Sequence, residues 1–357
     1  MIIGHLAYGS APCETACVEK RRLGSSGIEV SAFGLGTMMF GAWGNPDREQ
    51  CRRMLDMALD AGITLVDTAD IYDFGVSEDM LGEFLAGRRD RVVLATKFGN
   101  AMDDDPLHRG GSHRWVREAV TGSLRRLRTD HIDLYQMHRP DPDVPFEETL
   151  GALDELVREG LVGAVGTSCF PSEQLVEAQW IAARRAFMRP TSEQPPYSIL
   201  CRGVERAVFP MCRRYDVGAL VWAPLNGGWL TGKYRRGEAP PTASRADREP
   251  DHFDHGSDWR EAKIDLVEQL DKVATEVGVS LTGLALAFAL AHPAVSSVLI
   301  GPRTPEQLAD LLNLADVRLD DDTLDAIDAI VPPGTDVNPA DAGYTPSWLE
   351  PARLRGV

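Results

Sequence analysis

The chain has 357 residues, 43% of them hydrophobic, with 37 Lys and Arg against 54 Asp and Glu, a net charge of −17. This length can bury a large core as one barrel domain. The acidic balance disfavours nucleic acids and anionic membranes as partners, because neither attracts an acidic surface. Six scattered cysteines without a CxxC pair predict reduced thiols, a cytoplasmic location and no metal site. No apolar run reaches the ~18–20 residues of a membrane helix.

The beginning of the chain is expected to add little to the fold. Residues 1–20 lack the basic start of an export signal and are predicted to be a loose N-terminal extension. A short β-hairpin is predicted next, with residues 22–23 against residues 29–30. The remaining residues, 21–357, are predicted to form one domain.

Short apolar runs alternate with amphipathic helical stretches along this domain. Eight strands alternating with helices predict an α/β fold, a (β/α)8 barrel with an extra C-terminal helix after residue 319. The alternative, an open doubly wound sheet, usually shows GxGxxG after its first strand, and GLGTMM lacks the third glycine. The predicted strands are 33–36, 63–67, 91–96, 132–137, 162–167, 191–194, 218–223 and 297–300. The clearest helical stretches are 48–62, 114–127 and 146–160, with Gly62 and Gly160 where a helix favours a left-handed residue at its end.

Two segments depart from the repeat. Residues 225–262 form a long Gly-, Pro- and charge-rich stretch, which on a barrel is expected to lie over the catalytic face. The C-terminal tail contains Tyr344 and Trp348 among prolines and glycines. It could close over the pocket, pack against the barrel wall or stay disordered, and the sequence leaves these alternatives open.

Four polar residues, Asp67, Tyr72, Lys97 and His138, each follow an apolar, β-branched run. Side chains at the carboxyl ends of successive parallel strands converge on one site. A free tyrosine titrates near pH ~10. A nearby lysine is expected to lower this pKa, and a carboxylate to hold the lysine charged. Such a phenol could protonate a carbonyl oxygen that a histidine also hydrogen-bonds.

Two other interpretations of the same residues stay open. Asp67 and Lys97 could form a structural ion pair, with Tyr72 and His138 as ordinary loop residues. A barrel isomerase or aldolase could use Lys97 as a Schiff base, but Asp67 and Tyr72 would then have no role.

The flanking segments resemble the aldo-keto reductase family from Arg22 to Asp328. The segment 67–85 (DTADIYDFGVSEDMLGEFL) is similar to the family segment with the catalytic Asp and Tyr. The segments 94–99 (LATKFG) and 133–141 (DLYQMHRPD) are similar to its lysine and histidine strands. The most similar subgroup consists of bacterial reductases related to β-subunits of voltage-gated potassium channels. Further matching segments are GLGTMMFG (34–41), GTSCF (166–170), QPPYSIL (194–200), WAPLNGGWLTGKY (222–234) and LIGPRTPEQL (299–308).

The resemblance implies NADPH as cofactor, because a tyrosine acid without a metal needs an external hydride donor. Ser168 and Gln194 match residues that hold the nicotinamide carboxamide in the family, but Cys169 stands where the family has Asn. Trp222 takes the place of the aromatic residue near the nicotinamide ring, although an ordinary core tryptophan is the alternative. A thiol cannot replace both hydrogen bonds of an amide.

The resemblance also assigns the rest of the nucleotide site. Gly301 and Arg303 are similar to the turn that meets the 2′-phosphate, and Leu311 stands where an adenine-contacting Asn is usual. Arg suits a phosphate because its planar fork donates two hydrogen bonds. The remaining cofactor candidates are Thr37, Met38, Asp67, Ala223, Pro224, Leu225, Asn226, Gly227, Lys233, Arg245, Gln307 and Asp310. Arg245 could equally be a solvated surface residue.

The predicted function is the NADPH-dependent reduction of an aldehyde or ketone to an alcohol. The alternative is a regulatory subunit that keeps the fold and nucleotide but acts through a protein partner. The expected ligand is a small carbonyl compound of unknown identity, and a homo-oligomer is one of the open oligomeric states. The predicted pocket walls are 38–43, 99–111, 225–262 and Phe170, with Met38, Trp43 and Trp229 as an apolar entrance.

Overall fold

A computed structural model of the protein describes residues 18–242, 244–248, 253 and 257–346. Most of the predicted extension, residues 1–17, and Trp348 in the tail lie outside these described residues. Val18 is buried and its N–H donates to the carbonyl of Ala61, and Lys20 begins the first strand. The packed part of the chain therefore includes residues 18–20.

The predicted (β/α)8 barrel is confirmed. Among the described residues, eight parallel strands, β3 to β10, close into a barrel in which β10 pairs with both β3 and β9. Most predicted strands differ from the observed ones by at most two residues at either end. The strands are β1 (Lys20–Arg22), β2 (Glu29–Ser31), β3 (Phe33–Gly36), β4 (Leu65–Asp67), β5 (Val93–Phe98), β6 (Ile132–Met137), β7 (Val162–Thr167), β8 (Ser192–Glu193), β9 (Gly218–Val221) and β10 (Val295–Ile300).

Helices cover the outside of the barrel and begin and end where local chemistry dictates. The Asp47 side chain caps the first helix by accepting the N–H groups of Glu49 and Gln50. Gly62 and Gly160 have φ values of 85° and 76°, which confirms them as left-handed residues after helices. In the described residues the helices are α1 (Arg48–Asp60), α2 (Val76–Phe84), α3 (His113–Leu127), α4 (Phe146–Arg158), α5 (Ser172–Arg185), α6 (Val208–Tyr215), α7 (Arg245–Arg248), α8 (Ser257–Glu276), α9 (Leu281–Ala291), α10 (Pro305–Leu312) and α11 (Asp321–Ile330).

The predicted hairpin closes the amino-terminal end of the barrel. β1 and β2 pair antiparallel, with Arg22 opposite Glu29. Leu23 and Val30, at the hairpin, are fully buried and belong to the apolar cluster inside the barrel. This end of the barrel is therefore filled by apolar side chains, and the opposite end is left for polar ones.

Strand alternation decides which residues reach the barrel interior. Leu65, Ala95 and Leu134 belong to the interior apolar cluster. Two positions later along each strand the same face carries a polar residue, and these are Asp67, Lys97 and Gln136. Apolar and polar layers therefore stack inside the barrel, with the polar layer at the carboxyl end of the strands.

The long segment after β9 begins with a 3₁₀ helix, Asn226–Thr231, and contains α7 before α8 begins. The predicted helix after residue 319 is α11. Within the described residues, no single helix has the length and apolar composition needed to cross a membrane, although 259–276 and 281–291 meet that test as a pair bent by 89°.

Candidate functional site

The polar layer is centred on the buried ammonium of Lys97. Its Nζ lies 2.6 Å from Asp67 Oδ2, 2.8 Å from the carbonyl oxygen of Thr68 and 3.2 Å from the Tyr72 hydroxyl. The side chains of Lys97 and Asp67 are 0% and 3% exposed. The three predicted residues thus meet at one point. A charge pair buried this completely is stable only because each charged atom has close partners.

The Tyr72 phenol is a neutral acid in this environment. Desolvation raises its pKa above the ordinary value, and the Lys97 charge, which acts in the opposite direction, does not compensate. Lys97 acts on the Tyr72 pKa in the expected downward direction, but loss of water outweighs attraction to the ammonium, and the pKa lies above its ordinary value. The phenol keeps its proton at neutral pH, as a proton donor must.

The Lys97 ammonium stays charged. Burial by itself would lower its pKa, but attraction to Asp67 and Tyr72, together with their hydrogen bonds, raises the pKa above the ordinary lysine value. A permanently protonated amine is a poor nucleophile, so this environment disfavours the Schiff-base alternative.

His138 follows β6, and its ring lies 5.9 Å from the Tyr72 ring, nearly perpendicular to it. Burial and the Lys97 and Arg139 charges lower its pKa well below the ordinary value, so the imidazole is neutral at pH 7. The Asn100 amide nitrogen lies 3.2 Å from His138 Nδ1. An amide N–H can only donate, so the ring proton lies on Nε2, which remains a hydrogen-bond donor.

The second carboxylate oxygen of Asp67 is held by glutamine amides. Gln194 Nε2 donates to Asp67 Oδ1 at 2.8 Å, and Gln136 Nε2 lies 3.5 Å from the same oxygen. Gln194, predicted as a carboxamide contact, therefore also fixes the carboxylate. The sequence reasoning missed Gln136 and Asn100, although the two-residue period of β6 points Gln136 inward with Lys97.

The turn after β7 carries Ser168 and Cys169. The Ser168 hydroxyl donates to the carbonyl oxygen of Gln194 at 2.8 Å. Cys169 is 8% exposed and has φ 59°, the left-handed region in which Asn is enriched. The buried Glu193 carboxylate accepts the N–H of Phe170 at 3.1 Å, and burial raises its pKa to about 7. Glu193, which sequence reasoning missed, thus anchors the turn.

Trp222 follows β9 and lies between this turn and the C-terminal tail. Arg139 lies over its indole ring at 5.9 Å. The backbone of Gly343 packs so closely that a Cβ there would lie 2.7 Å from Trp222 and 3.2 Å from the Cys169 sulfur. The tail therefore reaches the predicted nicotinamide site, one of the alternatives that the sequence left open.

Three cations of the segment after β9 and one from the turn after β10 lie at this side of the barrel mouth. Desolvation and the charges of Arg303 and Arg248 lower the pKa of Lys233, so these groups lie close together. Arg245 lies near Gly227, where a Cβ would be 4.0 Å from the arginine Cδ. Arg248, missed in the sequence, donates to the carbonyl oxygen of Trp43 at 2.9 Å. In a chain of net charge −17, such clustering favours an anionic ligand.

The remaining predicted nucleotide residues line the same rim. Gly227 and Gly228 have φ values of 68° and 102° and are half-buried. Because glycine has no Cβ, a ligand can approach its backbone closely. Ala223 also has a positive φ, and its carbonyl oxygen accepts the N–H of Asn226 at 2.8 Å. Pro224 and Leu225 lie between these two residues in the chain.

The turn after β10 leads into α10. The backbone N–H of Arg303 donates to Gln307 Oε1 at 2.8 Å, and the carbonyl oxygen of Arg303 accepts a hydrogen bond from the Asn45 side chain at 2.9 Å. Gly301 has open space where a Cβ would stand. Asp310 is exposed and Leu311 packs partly against the core. The Thr304 side chain caps α10 by accepting the N–H of Gln307, and Pro305 is buried, so this turn can hold a phosphate through the Arg303 side chain and not through the helix N-terminus.

The loops after β3 and β4 carry two aromatic rings. Trp43 and Phe74 are 39% and 62% exposed, and their ring centroids lie 5.9 Å apart. Thr37 is buried, and its hydroxyl donates to the carbonyl oxygen of Asp67. Met38 is partly exposed. Trp229 is 4% exposed and stacks on Phe253. The expectation that Trp229 lines the entrance is therefore wrong, since it forms the core of the loop.

Comparison with known proteins gives a consistent result. The profile of the Aldo/keto reductase family matches residues 32–332. "Uncharacterized oxidoreductase YrpG" from Bacillus subtilis is 38% identical over 88% of this chain and 96% of its own length. "Aldo-keto reductase YhdN" from Bacillus subtilis is 35% identical over 88% of this chain and 94% of its own length. A "Putative voltage-gated potassium channel subunit beta" from Schizosaccharomyces pombe is 35% identical over 87% of this chain and 92% of its own length.

Proposed function

Since the chain belongs to the aldo/keto reductase family and is an oxidoreductase, we propose that it reduces an aldehyde or ketone to an alcohol with NADPH. Hydride goes to the carbonyl carbon and a proton from Tyr72 goes to the oxygen. The C=O π bond breaks, C–H and O–H bonds form, and NADPH becomes NADP⁺. The substrate is a small molecule.

One observation carries this proposal: the Tyr72 hydroxyl lies 3.2 Å from the buried Lys97 ammonium, which Asp67 holds at 2.6 Å. The raised Tyr72 pKa keeps the phenol protonated until a substrate oxygen gains negative charge. The adjacent Lys97 charge then stabilises the phenolate that remains. Neutral His138, with its proton on Nε2, donates a second hydrogen bond to the same oxygen.

A bound nicotinamide nucleotide supplies the hydride. The residues present fit such a group, because clustered Lys233, Arg248 and Arg303 oppose the charge of phosphates and the half-buried Gly227, which has no Cβ, allows close approach to its backbone. Arg303 is proposed to bind the 2′-phosphate, which favours NADPH over NADH. Ser168, Cys169 and Gln194 are proposed to hold the carboxamide, Trp222 the ring, and Gln307 and Asp310 the adenosine.

A regulatory role is the second candidate, because some relatives carry the name of a potassium channel subunit. A nucleotide-binding subunit could retain the site without turning over. The buried Lys97–Asp67 pair beside a protonated phenol favours the enzyme, since binding alone does not need a tuned acid.

A cytoplasmic location is also proposed. The four cysteines within the described residues, Cys51, Cys169, Cys201 and Cys212, are free and buried. Reduced thiols fit the redox conditions of that compartment.

A substrate screen tests the proposed function. Oxidation of NADPH, followed by absorbance, is measured with the purified chain and a panel of aliphatic and aromatic aldehydes and ketones, alongside NADH and carbonyl-free controls. Carbonyl-dependent oxidation with stoichiometric alcohol supports the enzyme. Tight NADPH binding without turnover of any carbonyl would instead favour the regulatory role, and lack of nucleotide binding would contradict both.

A further inference from the structure

The C-terminal segment, residues 335–344, is docked across the barrel mouth on the nucleotide side. The N–H of Arg202 donates to the carbonyl oxygen of Thr335 at 2.8 Å, and the N–H of Val337 donates to that of Leu200 at 3.0 Å. These bonds fix the segment along the loop that follows β8, so that its later residues are directed over the strand ends.

Asp341 in this segment joins the nucleotide loop to α8 through one buried triangle. Asp341 Oδ2 accepts hydrogen bonds from Lys263 Nζ at 2.5 Å and from Asn226 Nδ2 at 3.0 Å. Lys263 Nζ also donates to Asn226 Oδ1 at 2.8 Å. Each side chain thus contacts the other two, and the three come from separate parts of the chain.

The triangle is shielded from water. The side chains of Lys263 and Asp341 are 5% and 14% exposed, and Lys263 Nζ lies over the Trp229 ring at 5.7 Å. Removal of the carboxylate would leave the Lys263 charge desolvated with Asn226 as its remaining polar partner in the triangle. Such a loss is costly, because the ammonium has already given up its water.

Asn226 is the member of the triangle that belongs to the nucleotide loop. It is 6% exposed and has φ 48°, a left-handed conformation that Asn adopts more readily than most residues. It begins the 3₁₀ helix that carries Gly227, whose backbone is proposed to face the pyrophosphate. The hydrogen bonds of its buried side chain to Lys263 and Asp341 therefore set where this loop begins.

The same segment also covers the other end of the nucleotide site. Beyond Asp341, the backbone of Gly343 packs on Trp222 and the Cys169 sulfur, with a would-be Cβ 2.7 Å from the indole. The segment therefore contacts both the proposed pyrophosphate loop and the proposed nicotinamide pocket.

We infer that Asp341 is a positioning residue for the nucleotide: through Lys263 and Asn226 it presets the 226–231 loop and keeps the C-terminal segment over the site, which slows nucleotide release. This inference rests on the proposed function. Its consequence concerns the lifetime of the bound nucleotide and not the proton transfer at Tyr72.

The test compares nucleotide release from the full chain and from Asp341→Ala. NADPH release is followed by stopped-flow fluorescence during a chase with excess NADP⁺. The variant is expected to release NADPH at least about tenfold faster, because local opening of the 226–231 loop and the C-terminal segment then costs less free energy. Hydrogen exchange in the nucleotide-free variant should increase at both 226–231 and 338–344.

Matched variants separate positioning from general destabilisation. Asp341→Asn retains an acceptor oxygen and should recover most of the slow release. Asp133→Asn removes a different partly buried carboxylate, which pairs with Arg89 at 2.7 Å near the amino-terminal end of β6, and should leave release unchanged. In Asp341→Ala/Lys263→Met the unpaired ammonium is gone, so release should be no faster than in Asp341→Ala.

Unchanged NADPH release in folded Asp341→Ala overturns the inference, even if its melting temperature falls. If Asp341→Ala does not fold, Lys263→Met replaces it with the same criterion. Failure of the unmodified chain to bind NADPH or NADH would overturn the proposed function and this inference together. If the unmodified chain binds NADPH and the variants release it at the same rate as the unmodified chain, this inference alone is overturned.

Discussion

The two halves of the barrel mouth are organised by different means. Asp67 and Lys97 lie on adjacent strands inside the barrel and form a fully buried ion pair that holds Tyr72. The nucleotide half is assembled from turns after β7, β9 and β10 and from the C-terminal tail. Its cations, such as Lys233 and Arg303, lie on loops, and Cys169 and Asn226 adopt left-handed conformations.

The contrast indicates how work is divided within the site. Strand ends place Asp67 and Lys97 side by side, because the hydrogen bonds between β4 and β5 define their positions. Loops hold a ligand that must enter and leave, so their contacts are spread over several segments and depend on anchors such as Glu193 and Asp341. Variants in the first half should therefore affect chemistry and stability, and variants in the second should affect binding.

The largest effect is expected for Tyr72→Phe. Loss of the proton donor should reduce kcat for carbonyl reduction by about 10²–10⁴-fold while NADPH affinity stays unchanged. Tyr135→Phe is the matched control, because the described residues offer its buried hydroxyl no hydrogen-bond partner. Steady-state kinetics and fluorescence titration measure the two quantities. Near-normal turnover in Tyr72→Phe would contradict the proton-donor role.

Lys97→Met should destabilise the fold as well as abolish turnover. Without the ammonium, the Asp67 carboxylate stays buried with amide partners alone, and the loss is expected to be about 3–5 kcal/mol in unfolding free energy. The exposed Lys272→Met is the control and should change stability by less than about 0.5 kcal/mol. Urea denaturation measures both. Equal stability of the two variants would mean that the ion pair is not the anchor of this half.

Glu193→Gln tests whether the Glu193 carboxylate, which anchors the turn after β7, titrates near neutral pH. The Asp67–Lys97 ion pair is expected to stay charged there. The folded-state pKa is about 7 against an ordinary value of 4.5, so the folded chain binds a proton that the unfolded chain releases. The stability contributed by Glu193 is therefore fully present below pH 4.5 and is lost as pH rises through 7. Wild type should lose at most about 3 kcal/mol across this window, and the variant should not.

Urea unfolding at closely spaced pH values measures this difference. The exposed Glu159→Gln serves as a control, since its carboxylate pairs with Arg117 at the surface. Parallel stability profiles for wild type and Glu193→Gln would show that Glu193 is ionised in the folded chain throughout.

Arg303→Ala probes the cation cluster without touching the strand ends. Loss of a charge-assisted phosphate contact should cost about 1.5–3 kcal/mol, or roughly ten- to a hundredfold in NADPH affinity, with NADH affinity nearly unchanged. The exposed Arg114→Ala should alter neither affinity. If the ratio of NADPH to NADH affinity stays constant in Arg303→Ala, the 2′-phosphate binds elsewhere.

The smallest effect is expected for Cys169→Asn. An amide at this position should strengthen NADPH binding by about 0.5–1.5 kcal/mol, one net hydrogen bond. Because Asn tolerates the left-handed conformation that Cys169 adopts, the nucleotide-free variant should also be more stable, and calorimetric binding separates the two gains. In wild type, NADPH should protect Cys169 from alkylation, with fully buried Cys212 as internal reference. Equal labelling with and without NADPH would count against this placement.

Much of the fold was predictable because it is recorded in local patterns. Alternating strands and helices predicted the barrel, and β3, β6 and β7 have the predicted bounds. Apolar runs ending in Asp67, Lys97 and His138 predicted that these side chains share one end, since parallel strands all finish there. Gly62 and Gly160 predicted helix ends, because glycine adopts the left-handed conformation found there most easily.

Other features depend on contacts between distant residues. The sequence does not reveal that desolvation outweighs Lys97 in setting the Tyr72 pKa, because burial is a property of the whole packed barrel. Nor does it reveal that Trp229 is buried under Phe253, or that Asp341 meets Lys263 and Asn226. The sequence by itself determined the barrel and which chemical groups stand at its mouth. Tertiary structure alone decided their charge states and the side chains that hold them, because both depend on water excluded by residues far apart in the chain.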